Sequence, residues 1–201
     1  MEKAFEEVIR SEIPKGSLMI SVGLPGSWKS PVMEAIAKLG GFQILRSDMI
    51  RLEVLKGLDI FDNQVASDSK NREKVYDEMF RQAAEVLETS KNGLILDATF
   101  FTQELRLKAA RLARKANRTF VIAECICTEE KSMERISRRT KENYESNALT
   151  RQAYLNNKAL FQPVDIKGLK KRFKTVSMIH VVIDTESNSL ADWKITMIET
   201  I

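Results

Sequence analysis

One stretch near the start of the chain constrains the fold more than any other. The segment Gly23-Leu24-Pro25-Gly26-Ser27-Trp28-Lys29-Ser30 follows the apolar run Leu18–Val22 and precedes a helical pattern. Glycines between a strand and a helix let backbone N–H groups surround a phosphate, and the helix points its positive end at the same charge. A lysine and a serine at the end of such a loop suit phosphate oxygens and Mg²⁺. The stretch predicts a phosphate-binding loop, and the alternative is an ordinary strand-to-helix turn.

Trp28 departs from the phosphate-loop pattern, which has glycine at this position. If the loop needs a positive φ there, tryptophan costs about 1–2 kcal/mol of backbone strain. The indole must then point either to solvent or across the nucleotide cleft. A site weakened by Trp28 therefore remains an alternative to a working one.

Composition indicates an ordinary soluble chain. Its 201 residues predict one domain over 1–201 with a full hydrophobic core. No apolar run is long enough to span a bilayer, and the start is too acidic for a signal peptide, so we expect a cytoplasmic protein without membrane contact. Net charge is +4, which permits nucleic-acid binding without requiring it. The basic segment Lys167–Lys174 either contacts nucleic acid or forms a solvated loop.

Strand-like and helical patterns alternate along the chain. Strands are predicted at about 18–22, 42–45, 94–96, 120–123 and 179–183. Helices are predicted at about 4–10, 33–39, 50–57, 72–90, 102–116, 129–139, 150–161 and 190–198, with loops at 58–71 and 141–147. This alternation favours an α/β fold in which helices flank a parallel β-sheet.

Asp48 and Arg51 form a second candidate constellation, just after the second predicted strand. Open α/β sheets bind ligands at the carboxyl ends of their strands, and residues three apart share one helix face. A carboxylate there can take the proton of a hydroxyl, and an arginine can hold an anion through a bidentate fork. The alternative is an ion pair within the helix.

Asp97 and a group of arginines complete the candidates. Asp97 ends a buried strand, where it either supports Mg²⁺ or caps the following turn. Arg135, Arg138 and Arg139 crowd one helix end, so their mutual repulsion would be relieved by a nucleotide triphosphate. A solvated basic helix end is the alternative.

These motifs together resemble the polynucleotide-kinase-like group of P-loop kinases, and within it the 5′-hydroxyl polynucleotide kinase domain. The resemblance covers roughly residues 17–163. Its motifs are Gly23-x-Pro25-Gly26-Ser27-x-Lys29-Ser30, Ser47-Asp48-x-x-Arg51, Leu96-Asp97-Ala98-Thr99 and Arg135-x-x-Arg138-Arg139.

The resemblance implies a P-loop NTPase fold of the kinase type, with an N-terminal helix at 1–16 and a lid with its following helix at roughly 135–165. It implies ATP and Mg²⁺, with transfer of the γ-phosphoryl group to a polynucleotide 5′-hydroxyl and a single-stranded 5′ end as partner. Kinases for small hydroxyl compounds and a non-catalytic nucleotide-binding module remain alternatives.

The implied catalytic residues are Lys29, Asp48 and Arg139. The implied nucleotide-binding residues are Gly23, Gly26, Ser27, Trp28, Lys29, Ser30, Arg135 and Arg139. Arg51, Thr99 and Arg106 are implied for substrate, and Ser30 and Asp97 for the metal.

Overall fold

The computed structural model describes residues 3–140 and 148–201, which form seven strands and ten helical segments. The strands are β1 (Lys3–Ala4), β2 (Leu18–Val22), β3 (Gln43–Arg46), β4 (Leu94–Asp97), β5 (Phe120–Ile126), β6 (Met178–Asp184) and β7 (Lys194–Thr200). The α-helices are α1 (Phe5–Glu12), α2 (Lys29–Gly40), α3 (Ser47–Val54), α4 (Asn63–Ser67), α5 (Ser69–Thr89), α6 (Gln103–Lys115), α7 (Glu129–Ser137), α8 (Arg151–Leu160) and α9 (Ile166–Arg172). A short 3₁₀ helix covers Leu190–Asp192.

The strands form one sheet in the order β1-β7-β6-β5-β2-β4-β3. The five strands from β6 to β3 are parallel to one another, whereas β7 and β1 add antiparallel pairs at one side. Because the parallel strands all end at the same edge, the segments that follow β2, β3 and β4 meet there.

Helices cover both faces of this sheet, and the central strand β2 contributes side chains to each face. Leu18 and Ile20 pack with residues of α5, α6 and α9, whereas Met19 packs with residues of α1 and α2. Successive side chains of a strand point to opposite faces, so a parallel strand buried on both faces is continuously apolar. The predicted parallel sheet flanked by helices is confirmed.

The ends of the helices follow local sequence signals. Gly41, in the left-handed region at φ 72°, ends α2 and donates its N–H to the Ala37 carbonyl at 2.8 Å. Thr102 caps α6 by accepting the Leu105 N–H at 3.3 Å.

The predicted C-terminal helix at 190–198 is wrong. Only Leu190–Asp192 is helical, and Lys194–Thr200 forms β7, which pairs antiparallel with β6. Ile195 is buried while Lys194 and Thr196 are exposed, so this end of the strand alternates as a half-buried strand does. Trp193, within the predicted helix, is buried and directly precedes β7.

Two predicted loops are partly helical. The 58–71 segment contains α4 and the start of α5, whose first turns are capped by the Asp62 and Asp68 side chains. The basic segment 167–174 falls largely within α9. The predicted 141–147 loop, and with it part of the predicted lid, lies outside the described residues. No helix in the described part of the chain is long and apolar enough to cross a membrane.

Candidate active site

A cavity of about 280 Å³ lies at the carboxyl edge of the parallel strands. It brings together predicted residues that are far apart in the sequence. Those that line it are Gly26, Trp28, Lys29, Ser30, Asp48, Arg51, Asp97, Thr99 and Arg139. The segments after β2, β3 and β4 therefore build one site.

Two glycines are required where the phosphate-loop segment presses against its neighbours. Gly23 has φ 147°, and a Cβ there would lie 2.5 Å from the Cys125 carbonyl oxygen. Gly26 has φ 85°, and a Cβ there would lie 2.6 Å from the Ser132 carbonyl oxygen. Any side chain at either position would displace backbone atoms, so these glycines shape the loop by close approach.

Lys29 points into the cavity, and its ammonium donates a hydrogen bond to the Leu24 carbonyl at 2.9 Å. Burial lowers the pKa of Lys29, and the neighbouring Asp97 carboxylate opposes that effect. Arg139 lowers the pKa of Lys29 further, whereas Asp48 raises it. An anionic ligand would stabilise the charged ammonium in this surrounding.

Asp97 is only 5% exposed and its carboxylate accepts a hydrogen bond from the Ser21 hydroxyl at 2.9 Å. The Ser21 oxygen in turn accepts the Ala98 N–H at 3.0 Å, which fixes its orientation. Burial raises the pKa of Asp97, and a hydrogen bond from Ser30 and the charge of Lys29 oppose that rise.

Ser30 and Asp97 present two oxygen ligands to the cavity, and this pair fits Mg²⁺. Magnesium keeps several waters and takes one or two protein oxygens together with substrate phosphates. A buried carboxylate whose pKa is raised also gains stability from a nearby cation.

Asp48 and Arg51 lie on the first turns of α3 and form an ion pair at 2.5 Å. Both residues also line the cavity. The pair within the helix, which the sequence leaves as an alternative, is thus present and faces the same space as Lys29.

Trp28 has φ 54° and ψ 34°, so the left-handed conformation that the pattern's glycine suggests is confirmed. Its ring neither points wholly into solvent nor lies wholly across the cavity, which are the two expected directions. The Arg135 guanidinium stacks over the ring, with its carbon 4.3 Å from the ring centroid. The Trp193 ring packs edge-on against the Trp28 ring, with the two centroids 6.2 Å apart. Part of the ring packs against the α1 and α2 side of the core, although Trp28 also borders the cavity.

Arg135 does not occupy the nucleotide-facing position that the resemblance implies. It is 5% exposed, and it does not line the cavity. Its guanidinium donates to the Gly26 carbonyl at 3.1 Å, to the Thr185 carbonyl and to the Asn188 side chain. Because these bonds join the phosphate loop to the segment after β6, Arg135 braces the loop from outside the cavity. Arg139 does line the cavity and donates to the Ala148 carbonyl at 3.0 Å.

Arg106, implied as a substrate ligand, likewise does not line the cavity. It is fully buried, outside the cavity, and donates to the carbonyls of Phe100, Gln162 and Pro163 at 2.7–2.9 Å. Its guanidinium also lies over the Phe161 ring. These contacts join α6 to the segment after α8.

Two predicted loop residues also lie away from the cavity wall. The Ser27 hydroxyl is buried and, among the described residues, has no hydrogen-bond partner. The Ser27 carbonyl accepts the Thr185 hydroxyl at 3.1 Å. Gly23 lies against Cys125 beneath the loop. Both residues shape the loop through its backbone.

The sequence gives no signal for several cavity residues. These are Arg46, Arg72, Tyr76, Phe101, Asn156 and Asn157. They come from β3, α5, α8 and the segment before α6, and no spacing rule connects these separate elements.

Comparison with known proteins supports the fold on which this cavity is built. The AAA_33 family model, described as an AAA domain, matches residues 18–164. The chain belongs to this AAA-domain family. The match spans every segment that lines the cavity, from the phosphate loop to α8. A search of curated proteins gives no match.

Three solved structures share the fold of this AAA-domain protein. A candidate kinase from Chloroflexus aurantiacus is 18% identical, with a TM-score of 0.63, over 86% of this chain and 90% of that one. A gluconokinase from Sinorhizobium meliloti is 19% identical, with a TM-score of 0.54, over 90% and 88%. Kti12 from Chaetomium thermophilum in complex with ADP-AlF3 is 15% identical, with a TM-score of 0.56, over 75% and 82%. The predicted P-loop kinase fold is confirmed.

Proposed function

We propose that this AAA-domain protein transfers the γ-phosphoryl group of ATP to a hydroxyl acceptor, and that the acceptor is a polynucleotide 5′-hydroxyl. The observation that supports it is the shared cavity, which Lys29 and Ser30 line together with Asp48 and Arg51. A kinase needs phosphate ligands and a base for the acceptor in one place, because phosphoryl transfer depends mainly on positioning and charge stabilisation.

Each residue has a defined part in this reaction. Lys29 binds the β- and γ-phosphates, and Arg139 stabilises the charge that develops on the transferred group. Mg²⁺, held by Ser30 and Asp97, would neutralise phosphate charge. The Asp48 carboxylate accepts the acceptor's hydroxyl proton as the hydroxyl oxygen bonds to the γ-phosphorus and the bond to the β–γ bridging oxygen breaks.

A small hydroxyl compound is the second candidate acceptor. The cavity of about 280 Å³ lies near the lower end of the range typical of small-ligand pockets, and one structural neighbour is a gluconokinase. The polynucleotide acceptor is preferred because three arginines besides Arg139 line the cavity, namely Arg46, Arg51 and Arg72. Nucleic-acid backbones are bound largely through phosphate contacts.

The test is transfer of label from γ-labelled ATP with Mg²⁺ to a 5′-hydroxyl oligonucleotide, with gluconate and a nucleoside as competing acceptors. The variants are Lys29→Ala and Asp48→Asn. Lys38→Ala, exposed on α2, and Asp77→Asn, exposed on α5, are the matched controls. We expect Lys29→Ala to abolish transfer, and Asp48→Asn to lower it by about 10²–10⁴-fold because a general base is lost.

Both controls are expected to retain wild-type transfer. Label that moves to gluconate or the nucleoside in preference to the oligonucleotide would replace the polynucleotide acceptor by the second candidate. Undiminished transfer in Asp48→Asn would remove the general base from the mechanism. Absence of transfer to every acceptor would contradict the proposed activity.

A further inference from the structure

Arg72, near the start of α5, lines the same cavity as Arg51 although the two residues lie on different helices. Its Nε donates to the Ala66 carbonyl at 3.1 Å, and its guanidinium carbon lies 5.4 Å from the centre of the Phe101 ring. Phe101 also borders the cavity. The hydrogen bond and the ring contact hold the guanidinium in position.

The contacts of Arg72 differ from those of the structural arginines. Arg106 and Arg135 are buried outside the cavity and use several N–H groups on backbone carbonyls. Within residues 3–140 and 148–201, Arg72 uses only Nε in a hydrogen bond. Its two terminal nitrogens therefore remain available to a ligand, and an arginine fork matches phosphate geometry.

The charge around Arg72 favours an anion. Burial lowers the pKa of Arg72, the Arg51 charge lowers it further, and Tyr76 opposes these effects. An arginine nevertheless stays protonated in proteins. Two cations then share one partly buried space, and the Asp48 carboxylate pairs with Arg51. A phosphate group bound between the two arginines would relieve their repulsion.

We infer that Arg72 is the second arm of an anion site, begun by Arg51, that binds a phosphate carried by the acceptor. This inference deepens the proposed function and rests on it. The phosphate fixes the acceptor in the cavity so that its hydroxyl lies at Asp48, and the Phe101 ring supports the guanidinium. The substrate class is a phosphorylated hydroxyl compound rather than a neutral alcohol.

Equilibrium binding tests the site without requiring turnover. Calorimetry would compare adenosine 3′-monophosphate, adenosine and ribose 5-phosphate on the full chain. The variants are Arg72→Gln and Arg72→Lys, and the matched control is Lys74→Gln, which removes an exposed charge two residues away on α5. All titrations are repeated with Lys29→Ala, so that phosphate bound at the loop is recognised.

We expect Arg72→Gln to weaken adenosine 3′-monophosphate binding by about 10- to 100-fold, the effect of one charge-assisted pair. Adenosine binding should be unchanged, Arg72→Lys should retain part of the affinity, and Lys74→Gln should match wild type. The pattern should persist with Lys29→Ala. If the affinity for ribose 5-phosphate also falls in Arg72→Gln, the site is assigned to phosphorylated hydroxyl compounds in general. If only the affinity for the nucleotide falls, the site is assigned to nucleic-acid ends.

The inference is overturned if Arg72→Gln leaves adenosine 3′-monophosphate binding unchanged, or if it weakens adenosine equally, since a merely structural role would affect both ligands. Its failure is distinguishable from failure of the kinase. If Arg72→Gln loses phosphate binding but wild type transfers phosphate to no acceptor, the proposed anion site is supported and the proposed kinase activity is contradicted. If wild type transfers phosphate and the KM for phosphorylated acceptors is the same in Arg72→Gln, the kinase stands and the anion site is overturned.

Discussion

Trp28 offers a direct test of how backbone strain and ring packing balance in the phosphate loop. The residue adopts φ 54°, which costs a side-chain-bearing residue about 1–2 kcal/mol relative to glycine. The strain is offset by the ring's contacts. Stacking on Arg135 contributes about 0.5–2 kcal/mol, and the edge contact with Trp193 about 0.5–1.5 kcal/mol.

Two substitutions separate these effects. Trp28→Ala loses the ring contacts but keeps the strain, whereas Trp28→Gly loses the contacts and relieves the strain. We expect both to unfold more easily than wild type, with the glycine variant more stable than the alanine variant by about 1 kcal/mol. In a chain of this length that difference is about 2–4 °C in Tm.

Urea and thermal unfolding followed by circular dichroism measure the difference, because the substitutions remove a fluorophore. Lys38→Ala and Lys38→Gly form the matched pair, since Lys38 is exposed inside α2. At position 38 the alanine variant should be more stable than the glycine variant by about 1 kcal/mol, which is the opposite of the order expected at position 28. An alanine variant at position 28 as stable as the glycine variant would refute the strain argument. Phosphoryl transfer by Trp28→Gly should be unchanged or increased.

Two further predictions concern buried charges. Arg106→Met should destabilise the fold by about 3 kcal/mol or more in urea unfolding, because three carbonyls lose their donor; unchanged stability with weaker acceptor binding would instead restore a substrate role. Burial raises the folded pKa of Asp97 above its usual 3.8, so wild type loses stability as pH rises from near 3.8 through the folded value. Asp97→Asn lacks this loss, and its stability relative to wild type should grow over that range in urea unfolding. A relative stability that declines with pH would contradict the sign.

Local signals in the sequence predict much of the fold. The apolar runs that become β2, β4 and β5 lie between helical patterns, and this order by itself indicates a parallel sheet. Gly41 and Thr102 mark helix ends through their own backbone chemistry, so neighbours along the chain are sufficient to place them. The C-terminal strand β7 is missed because its pairing with β6, rather than its local pattern, decides its conformation.

Candidate site residues also divide into those that local sequence places and those that only long-range contacts place. Lys29 and Asp48 follow strands and Asp97 ends one, and the ends of these parallel strands must meet, so the sequence determines their presence at one edge of the sheet. Arginine is different, because its long side chain can reach either the cavity or a buried carbonyl.

What the sequence by itself determined is the α/β fold, the glycine-containing loop between the first strand and its helix, and the two carboxylates at the strand ends. Each depends on residue types close together in the chain. Only the tertiary structure decided that Arg135 and Arg106 brace the backbone and that Arg72 joins Arg51 in the cavity. Those outcomes depend on which carbonyls and rings come within reach after folding, and contacts between distant segments leave no local pattern.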